Sequence, residues 1–243
     1  MILSQHRHYS LFQPIVWIEN ERVHGHEALL RSSDSISPDC LFRLARAHRY
    51  LYELDSGAMA RSISTYFQQM ENCGSPTWLF VNVFPSTLLN PAFSAWIVNK
   101  FLDNGFPLNR IVLEINEAPE EEKMWDIALL GERLSEMRQY GFQIALDDVG
   151  SGAASLKKIV EYKPDIVKLD RYFGKHLATN TAKQRLVSLF AEFCRGERLL
   201  VLEGIERADD LIAARSLGVP LGQGFLLGRP AASSNSPSFD YSH

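Results

Sequence analysis

The stretch Ile144-Ala145-Leu146-Asp147-Asp148-Val149-Gly150-Ser151-Gly152 is an apolar strand that runs into two adjacent carboxylates and then a glycine-punctuated turn. Two ionised carboxylates at a buried strand end repel each other, and they persist there only with a compensating cation or hydrogen-bond donors. A divalent metal is one compensation. The other is local: Asp148 caps a helix starting near Ala153, beside a solvated Asp147. The stretch alone leaves both open.

Outward from it, the chain alternates between strand and helix. A helix from Glu120 to Tyr140, with Ile127, Leu130, Leu134 and Met137 on one face, precedes the strand. After it come a helix from Ala154 to Tyr162 and a strand from Pro164 to Asp170. A helix from Lys183 to Cys194 follows, with Leu186, Leu189, Phe190 and Phe193 on its apolar side. Leu199 to Glu203 reads as a strand, Ala208 to Leu217 as a helix, and Leu221 to Leu226 as a last short strand. On the amino-terminal side, Ile111–Ile115 and Trp78–Val83 are strands, the latter ended by Phe84-Pro85 and followed by a helix from Pro91 to Asn104. Ser37-Pro38-Asp39 opens a helix carrying Leu41, Leu44, Ala45 and His48 at helical spacing, and a second runs from Leu51 to Met70. Tyr9 to Ile18 and Val23 to Arg31 are extended runs joined by the polar turn Glu19-Asn20-Glu21-Arg22, so they form an antiparallel hairpin.

Strand–helix alternation implies a mostly parallel sheet, and about seven repeats in a chain of this length favour closure over an open sheet. The expected fold is an α/β barrel of the TIM (β/α)8 type with one reversed strand. No linker divides it, so residues 1–231 are expected to form a single domain, with the Ser-rich segment 232–243 as a tail without periodicity.

A net charge of −4 provides no overall basic field, which argues against polymeric nucleic acid or anionic lipid as partner. The longest apolar runs, such as Trp78 to Phe84, are far too short to cross a bilayer. Met1 to Tyr9 lacks the apolar core of a secretory signal, and Cys40, Cys73 and Cys194 are far apart and odd in number. A cytoplasmic setting is the expectation.

Asn82, Glu114, Asp147, Asp148, Lys168, Glu203 and Gln223 each sit at or near the carboxyl end of an expected strand. In a barrel those ends form one rim, where such enzymes carry their chemistry. Glu27, taken as lying on the reversed strand, reaches the same rim if its polarity is opposite. Acids converging on one mouth require cations, and oxygen-only ligands suit Mg2+ or Mn2+. Two such ions can activate a water and stabilise charge during attack on a phosphodiester, with a lysine holding the water. The residues point to a metal-dependent phosphoester hydrolase.

At this level the sequence resembles the EAL domain family of cyclic di-GMP phosphodiesterases. His26-Glu27-Ala28-Leu29-Leu30-Arg31 carries the naming motif. The blocks Phe12-Gln13-Pro14-Ile15-Val16, Leu113-Glu114-Ile115-Asn116-Glu117, Ala145 to Gly152, and Val167-Lys168-Leu169-Asp170 fall in the family's order, completed by Glu203-Gly204-Ile205-Glu206 and Gln223-Gly224-Phe225. The resemblance implies a barrel whose first strand is antiparallel, hydrolysing cyclic di-GMP to linear pGpG with Mg2+ or Mn2+, as two ions. It implies Glu27, Asn82, Glu114, Asp147 and Asp148 as metal ligands, with Glu27 also in the catalytic set beside Lys168 and Glu203, which position or activate the water. Gln13, Arg31 and Gln223 match substrate-binding positions, Arg31 being available for a bidentate grip on phosphate. Glu117 and Glu206 match acids that brace the loop after Asp148, a segment used for dimerisation, so a homodimer is implied. A separate regulatory protein would supply control to a solitary domain. A catalytically silent module that binds cyclic di-GMP or a protein partner is the alternative.

The sequence departs from the family at Phe84, where the Asn-x-Ser pattern has its hydroxyl, and at Asn116, Val149, Ser151 and Ala153. No matched ligand is lost. His24, His26 and His48 lack a tight ligand cluster and read as satisfied or solvated, and Glu120-Glu121-Glu122 reads as a helix-start acid run.

Overall fold

The computed structural model describes residues 8–34, 36–70, 77–116, 119–150 and 155–232. Strands β1 (His8–Trp17), β2 (Val23–Ser32), β3 (Trp78–Val83), β4 (Ile111–Ile115), β5 (Gln143–Val149), β6 (Ile166–Leu169), β7 (Leu199–Leu202) and β8 (Leu221–Gly222) close into a barrel in sequence order. β1 is antiparallel to both β2 and β8, while the other neighbours pair in parallel. The first strand is therefore the reversed one, as expected. Glu27 is not on it: β2 runs parallel to β3, so Glu27 reaches the rim with the same polarity as the other strands. The β1–β2 turn holds by local bonds, with Asn20 Oδ1 accepting from Arg22 N at 3.0 Å and Glu21 in the left-handed region at φ 57°.

The helices follow their capping residues more faithfully than their apolar spacing. α1 (Pro38–Ala47) opens on Ser37, whose side chain accepts from Cys40 N, with Pro38 in the first turn; His48 is its C-cap. α2 (Leu51–Met70) matches the expected span. A short helix α3 (Pro85–Leu88) precedes the expected helix from Pro91 to Asn104, which is instead α4 (Phe93–Ile97) and a π-helical turn over Val98–Leu102. Pro85 starts α3 because its missing N–H costs nothing at a first-turn position. The expected helix from Glu120 to Tyr140 divides into a 3-10 turn (Pro119–Glu121), α5 (Glu122–Trp125) and α6 (Ala128–Gln139), so Ile127 lies at the break and is exposed, while Leu130, Leu134 and Met137 are buried. The remaining helices are α7 (Ser155–Tyr162), α8 (Arg171–Gly174), α9 (Thr181–Cys194) and α10 (Ala208–Ser216).

α9 corrects a face assignment. Lys183, Val187, Ala191 and Cys194 are buried, whereas Leu186, Leu189 and Phe193 face solvent. The inward stripe has the same helical spacing but smaller side chains, which allow close approach, and the Lys183 ammonium donates to the carbonyls of Tyr172 and Lys175. β8 is also shorter than expected, its ladder ending at Gly222. Of the segment assigned as a tail, Ala232 is described and 233–243 lie outside the described residues. Ala231 bridges back to Phe12, with Phe12 N donating to Ala231 O at 2.7 Å.

Inside the barrel, Ile15, Phe80, Val112, Ala145, Ile166, Val201 and Leu221 form one fully buried cluster, a residue from every strand but β2. β2 contributes Gly25 at this level, because a methyl there would lie 2.5 Å from the Trp78 carbonyl oxygen and 3.0 Å from the Phe80 ring that fills the space. Strand side chains alternate, so the next inward position is two residues nearer the carboxyl end. Those positions are Glu27, Asn82, Glu114, Asp147, Lys168, Glu203 and Gln223, and the same step taken backward on reversed β1 gives Gln13. An apolar floor thus carries a polar rung directly above it.

Candidate functional site

Lys168 stands at the centre of the polar rung, its side chain fully buried, with Nζ at 2.7 Å from Glu114 Oε1, 2.8 Å from Glu203 Oε1, 3.0 Å from Asp147 Oδ1 and 3.2 Å from Glu27 Oε2. One ammonium has three protons, so it cannot bond every neighbour well. Accordingly Glu114 Oε1 and Asp147 Oδ1 are buried without a partner in hydrogen-bonding geometry, held by charge alone. Asn82 Nδ2 donates to Glu27 Oε1 at 3.2 Å and Glu114 Oε2 at 3.3 Å, and Gln223 Nε2 donates to Glu27 Oε2 at 2.7 Å. Turning the Asn82 amide over would present its oxygen at the same place.

Asp148 reaches the cluster by a backbone departure. Consecutive strand residues face opposite sides, yet Asp148 has φ 53° and the β5–β6 register breaks between Leu146 and Val149. One carboxylate oxygen from each of Asp147, Asp148 and Glu203 then lies within 4.8 Å of the others, as do oxygens of Glu27, Glu114 and Asp147. Asp170, which also caps α8 by accepting from Tyr172 N at 2.8 Å, hydrogen-bonds Asp148. Asp148 thus joins this convergence; the helix start it was expected to cap lies outside the described residues.

The electrostatics follow from burial and crowding. Burial drives the Glu114 carboxyl well above its ordinary value, and the Glu27 charge adds to that against the pull of Lys168. Burial likewise lifts Glu203 to about 8 and Asp148 to about 7, with Asp147 adding repulsion to each. For Glu27, burial is outweighed by Lys168 and by the bonds from Gln223 and Asn82, and the carboxyl sits below its ordinary value. Burial would lower Lys168, but Asp147, Glu114, Glu203 and Glu27 together hold it well above normal. Five carboxylates against one ammonium is a set of hard oxygen donors short of positive charge. It fits divalent cations, and the two triads sharing Asp147 could hold one each.

The other expected residues are more dispersed. Arg31 lines a cavity of about 510 Å3 beside Glu27 and Asn82, its Nη1 donating to Leu30 O at 2.8 Å. Gln13 is buried, with Nε2 donating to Gly228 O at 3.0 Å. Glu206 is exposed and pairs with Lys175 at 2.9 Å, away from the ring. Glu117 lies outside the described residues, as do Ser151 and Ala153. His26 Nδ1 meets the Tyr66 hydroxyl at 3.0 Å, while His24 packs among Trp17, Trp78 and Phe80, and neither joins the cluster.

Two buried acids beside the cavity escaped the sequence analysis. Glu121, read as one of a run of helix-start acids, is fully buried: it accepts from Ser86 N at 2.7 Å and Ser86 Oγ at 3.0 Å and pairs with Arg46. Asp55, on α2, accepts from Phe84 N at 2.9 Å, and burial lifts its carboxyl to about 7. That folded value lies above the ordinary 3.8, so the stability Asp55 contributes is complete below about 4 and lost as pH rises through about 7. Asp55→Asn keeps the acceptor and removes the titration. The variant should be more stable than wild type at pH 8, by about 2–4 kcal/mol, and lose that advantage by pH 4. Calorimetric melts with equal pH slopes for the two proteins would contradict this assignment.

Comparison with known proteins supplies context for this geometry. A family model described as the EAL domain matches residues 2–230. The probable cyclic di-GMP phosphodiesterase PdeI of Escherichia coli (strain K12) is 28% identical over 229 residues, 91% of this chain and 29% of that protein. The cyclic di-GMP phosphodiesterase PdeF of the same organism is 24% identical over 233 residues, 93% of this chain and 30% of that protein. The chain thus spans about three-tenths of the length of these relatives. Among solved structures, Klebsiella pneumoniae BlrP1 in a manganese/cyclic di-GMP complex at pH 9.0 is similar with a TM-score of 0.82 at 26% identity, covering 95% of this chain and 58% of that one. Its calcium/cyclic di-GMP complex at pH 8.0 gives 0.83 at 26% identity, covering 95% and 57%.

Proposed function

The chain belongs to the EAL domain family, and from that premise we propose that it is a metal-dependent phosphodiesterase hydrolysing cyclic di-GMP to linear pGpG. The observation that carries this is the convergence of Glu27, Asn82, Glu114, Asp147, Asp148 and Glu203 around Lys168 at one mouth of the barrel.

In this proposal Glu27, Asn82, Glu114, Asp147 and Asp148 hold Mg2+ or Mn2+, as two ions. Such ions supply Lewis-acid polarisation of the phosphoryl oxygen and a nucleophilic water at neutral pH. Glu203, 2.8 Å from the Lys168 ammonium at the same mouth, would take up or return the water's proton. Lys168 keeps its charge, holds the carboxylates in register and offers an N–H to the same water. Gln223 fixes the Glu27 carboxylate, Arg31 grips a phosphate at the cavity wall, and Gln13 belongs to the same substrate-binding set. Glu117 and Glu206 brace the loop after Asp148. That loop leads into α7, where Leu156 and Val160 are exposed and supply apolar surface for a homodimer. A cytoplasmic setting and a separate regulatory partner belong to the same proposal; among the described residues no helix is long and apolar enough to cross a membrane.

The deciding experiment is chromatography of cyclic di-GMP incubated with purified protein and Mg2+ or Mn2+, beside Glu27→Ala and a chelator. Linear dinucleotide should form, and both controls should abolish it. No turnover with either metal would sink the enzyme proposal, and titration of cyclic di-GMP in Ca2+ would then separate a silent receptor from a protein-interaction module.

A further inference from the structure

The cavity beside the carboxylate ring has a wall that none of these roles uses. Phe84 and Phe42 meet edge to face, their centroids 5.0 Å apart at 78°, and the Arg46 guanidinium carbon lies 5.4 Å from the Phe84 centroid. Phe42 and Arg46 are one helical turn apart on α1, so they present the same face. All three side chains line the cavity alongside Glu27 and Asn82 and are only partly buried, so ring surface is left facing the space.

The wall is held from behind. Pro85 follows Phe84, the Phe84 N–H is tied to Asp55, and Arg46 is tied to the buried Glu121, which also takes the Ser86 N–H. A rigid corner of two aromatic rings with a guanidinium over one of them is suited to a flat, polarisable ligand.

We propose that Phe84, backed by Phe42 and Arg46, is a specificity-determining residue that stacks on a purine base of a cyclic dinucleotide whose phosphodiester lies at the carboxylate ring. The proposal rests on the cyclic di-GMP assignment above. Stacking on an aromatic face is worth about 1–3 kcal/mol per base, or roughly 5- to 150-fold in affinity, and grows with the area of the base. Purine dinucleotides therefore bind more tightly than pyrimidine ones, through Phe84.

The test is calorimetric titration of the full chain in Ca2+, the ion of a cyclic di-GMP complex of a structural relative, with cyclic di-GMP and its uracil counterpart cyclic di-UMP. The proteins are wild type, Phe84→Leu, which keeps apolar bulk without the ring, and Phe84→Tyr, which keeps the ring. Phe84→Leu should weaken cyclic di-GMP by about 10- to 100-fold and cyclic di-UMP by less than about threefold, with Phe84→Tyr close to wild type. Equal losses for both ligands, or no loss for either, would overturn the stacking role while leaving the cyclic di-GMP assignment standing. A wild type that binds neither dinucleotide overturns that assignment and the stacking role with it. Should Phe84→Leu fail to fold, Phe42→Leu reads the same purine-to-pyrimidine contrast.

Discussion

Replacing Lys168 with methionine should abolish hydrolysis of cyclic di-GMP, by at least about a hundredfold, and should destabilise the cation-free protein by roughly 3–5 kcal/mol at pH 8. The cause of the second effect is visible in the geometry. Four carboxylates lie within 3.2 Å of the Lys168 ammonium, and methionine fills its volume while leaving them to repel one another. The effect has a definite pH sign. Glu203 is already raised from 4.5 to about 8, so the stability tied to its protonated form is complete below about 4.5 and lost as pH rises through about 8. Removing Lys168 takes away the charge that pulls Glu203 and Glu114 back down. Thermal melts at pH 5 and pH 8 should therefore show a deficit on the order of 10 °C at the higher pH and a much smaller one at the lower. Added Mn2+ should restore part of the pH 8 deficit without restoring turnover. A melting temperature that ignores both pH and Mn2+ would mean that Lys168 is not the counter-charge of this cluster.

The second large effect is expected from a glycine that touches no ligand. Gly174 ends α8, and a methyl there would fall on the carbonyl oxygen of Glu203, far inside van der Waals distance. Because the obstacle is backbone at the end of β7, no rotamer change relieves it. Gly174→Ala must displace the Glu203 backbone and with it the carboxylate set against Lys168, and a displacement near 1 Å costs about a hundredfold in turnover. The loss should appear in kcat with KM little changed, accompanied by destabilisation of about 1–3 kcal/mol. Gly131→Ala, where the new methyl would sit 3.9 Å from Tyr162, is the matched control inside α6 and should be neutral or slightly stabilising. Full activity in Gly174→Ala would show that the two segments move together and that Glu203 tolerates the shift.

Residues at strand ends were the legible part of this molecule. Glu114, Asp147, Lys168 and Glu203 each close a short apolar run, and a barrel converts that one-dimensional position into a shared rim. The orientation of β2 was not legible. A hairpin establishes that its two strands oppose each other without saying which of them opposes the rest, so Glu27 was placed on the wrong member. Asp55 and Glu121 were missed for another reason. Their burial depends on Phe84, Ser86 and Arg46 arriving from distant segments, and a carboxylate in a helix or an acidic run looks solvated until those partners are placed. The outward leucines of α9 show the limit of hydrophobic periodicity. Two stripes of that helix have helical spacing, and bulk alone favours the outward one, although the narrower side chains permit the closer packing.

The two-residue step between Val112 and Glu114, or between Ile166 and Lys168, separates what keeps the barrel closed from what loads its mouth with charge. A substitution of Glu114 or Glu203 can therefore erase the chemistry while the scaffold persists, because neutralising either crowded acid relieves repulsion instead of opening a void. At Glu114 and Glu203, whose carboxyls the fold already pushes toward neutrality, the step to an inert but folded receptor runs downhill in free energy, whereas at Lys168 and Glu27 it runs uphill.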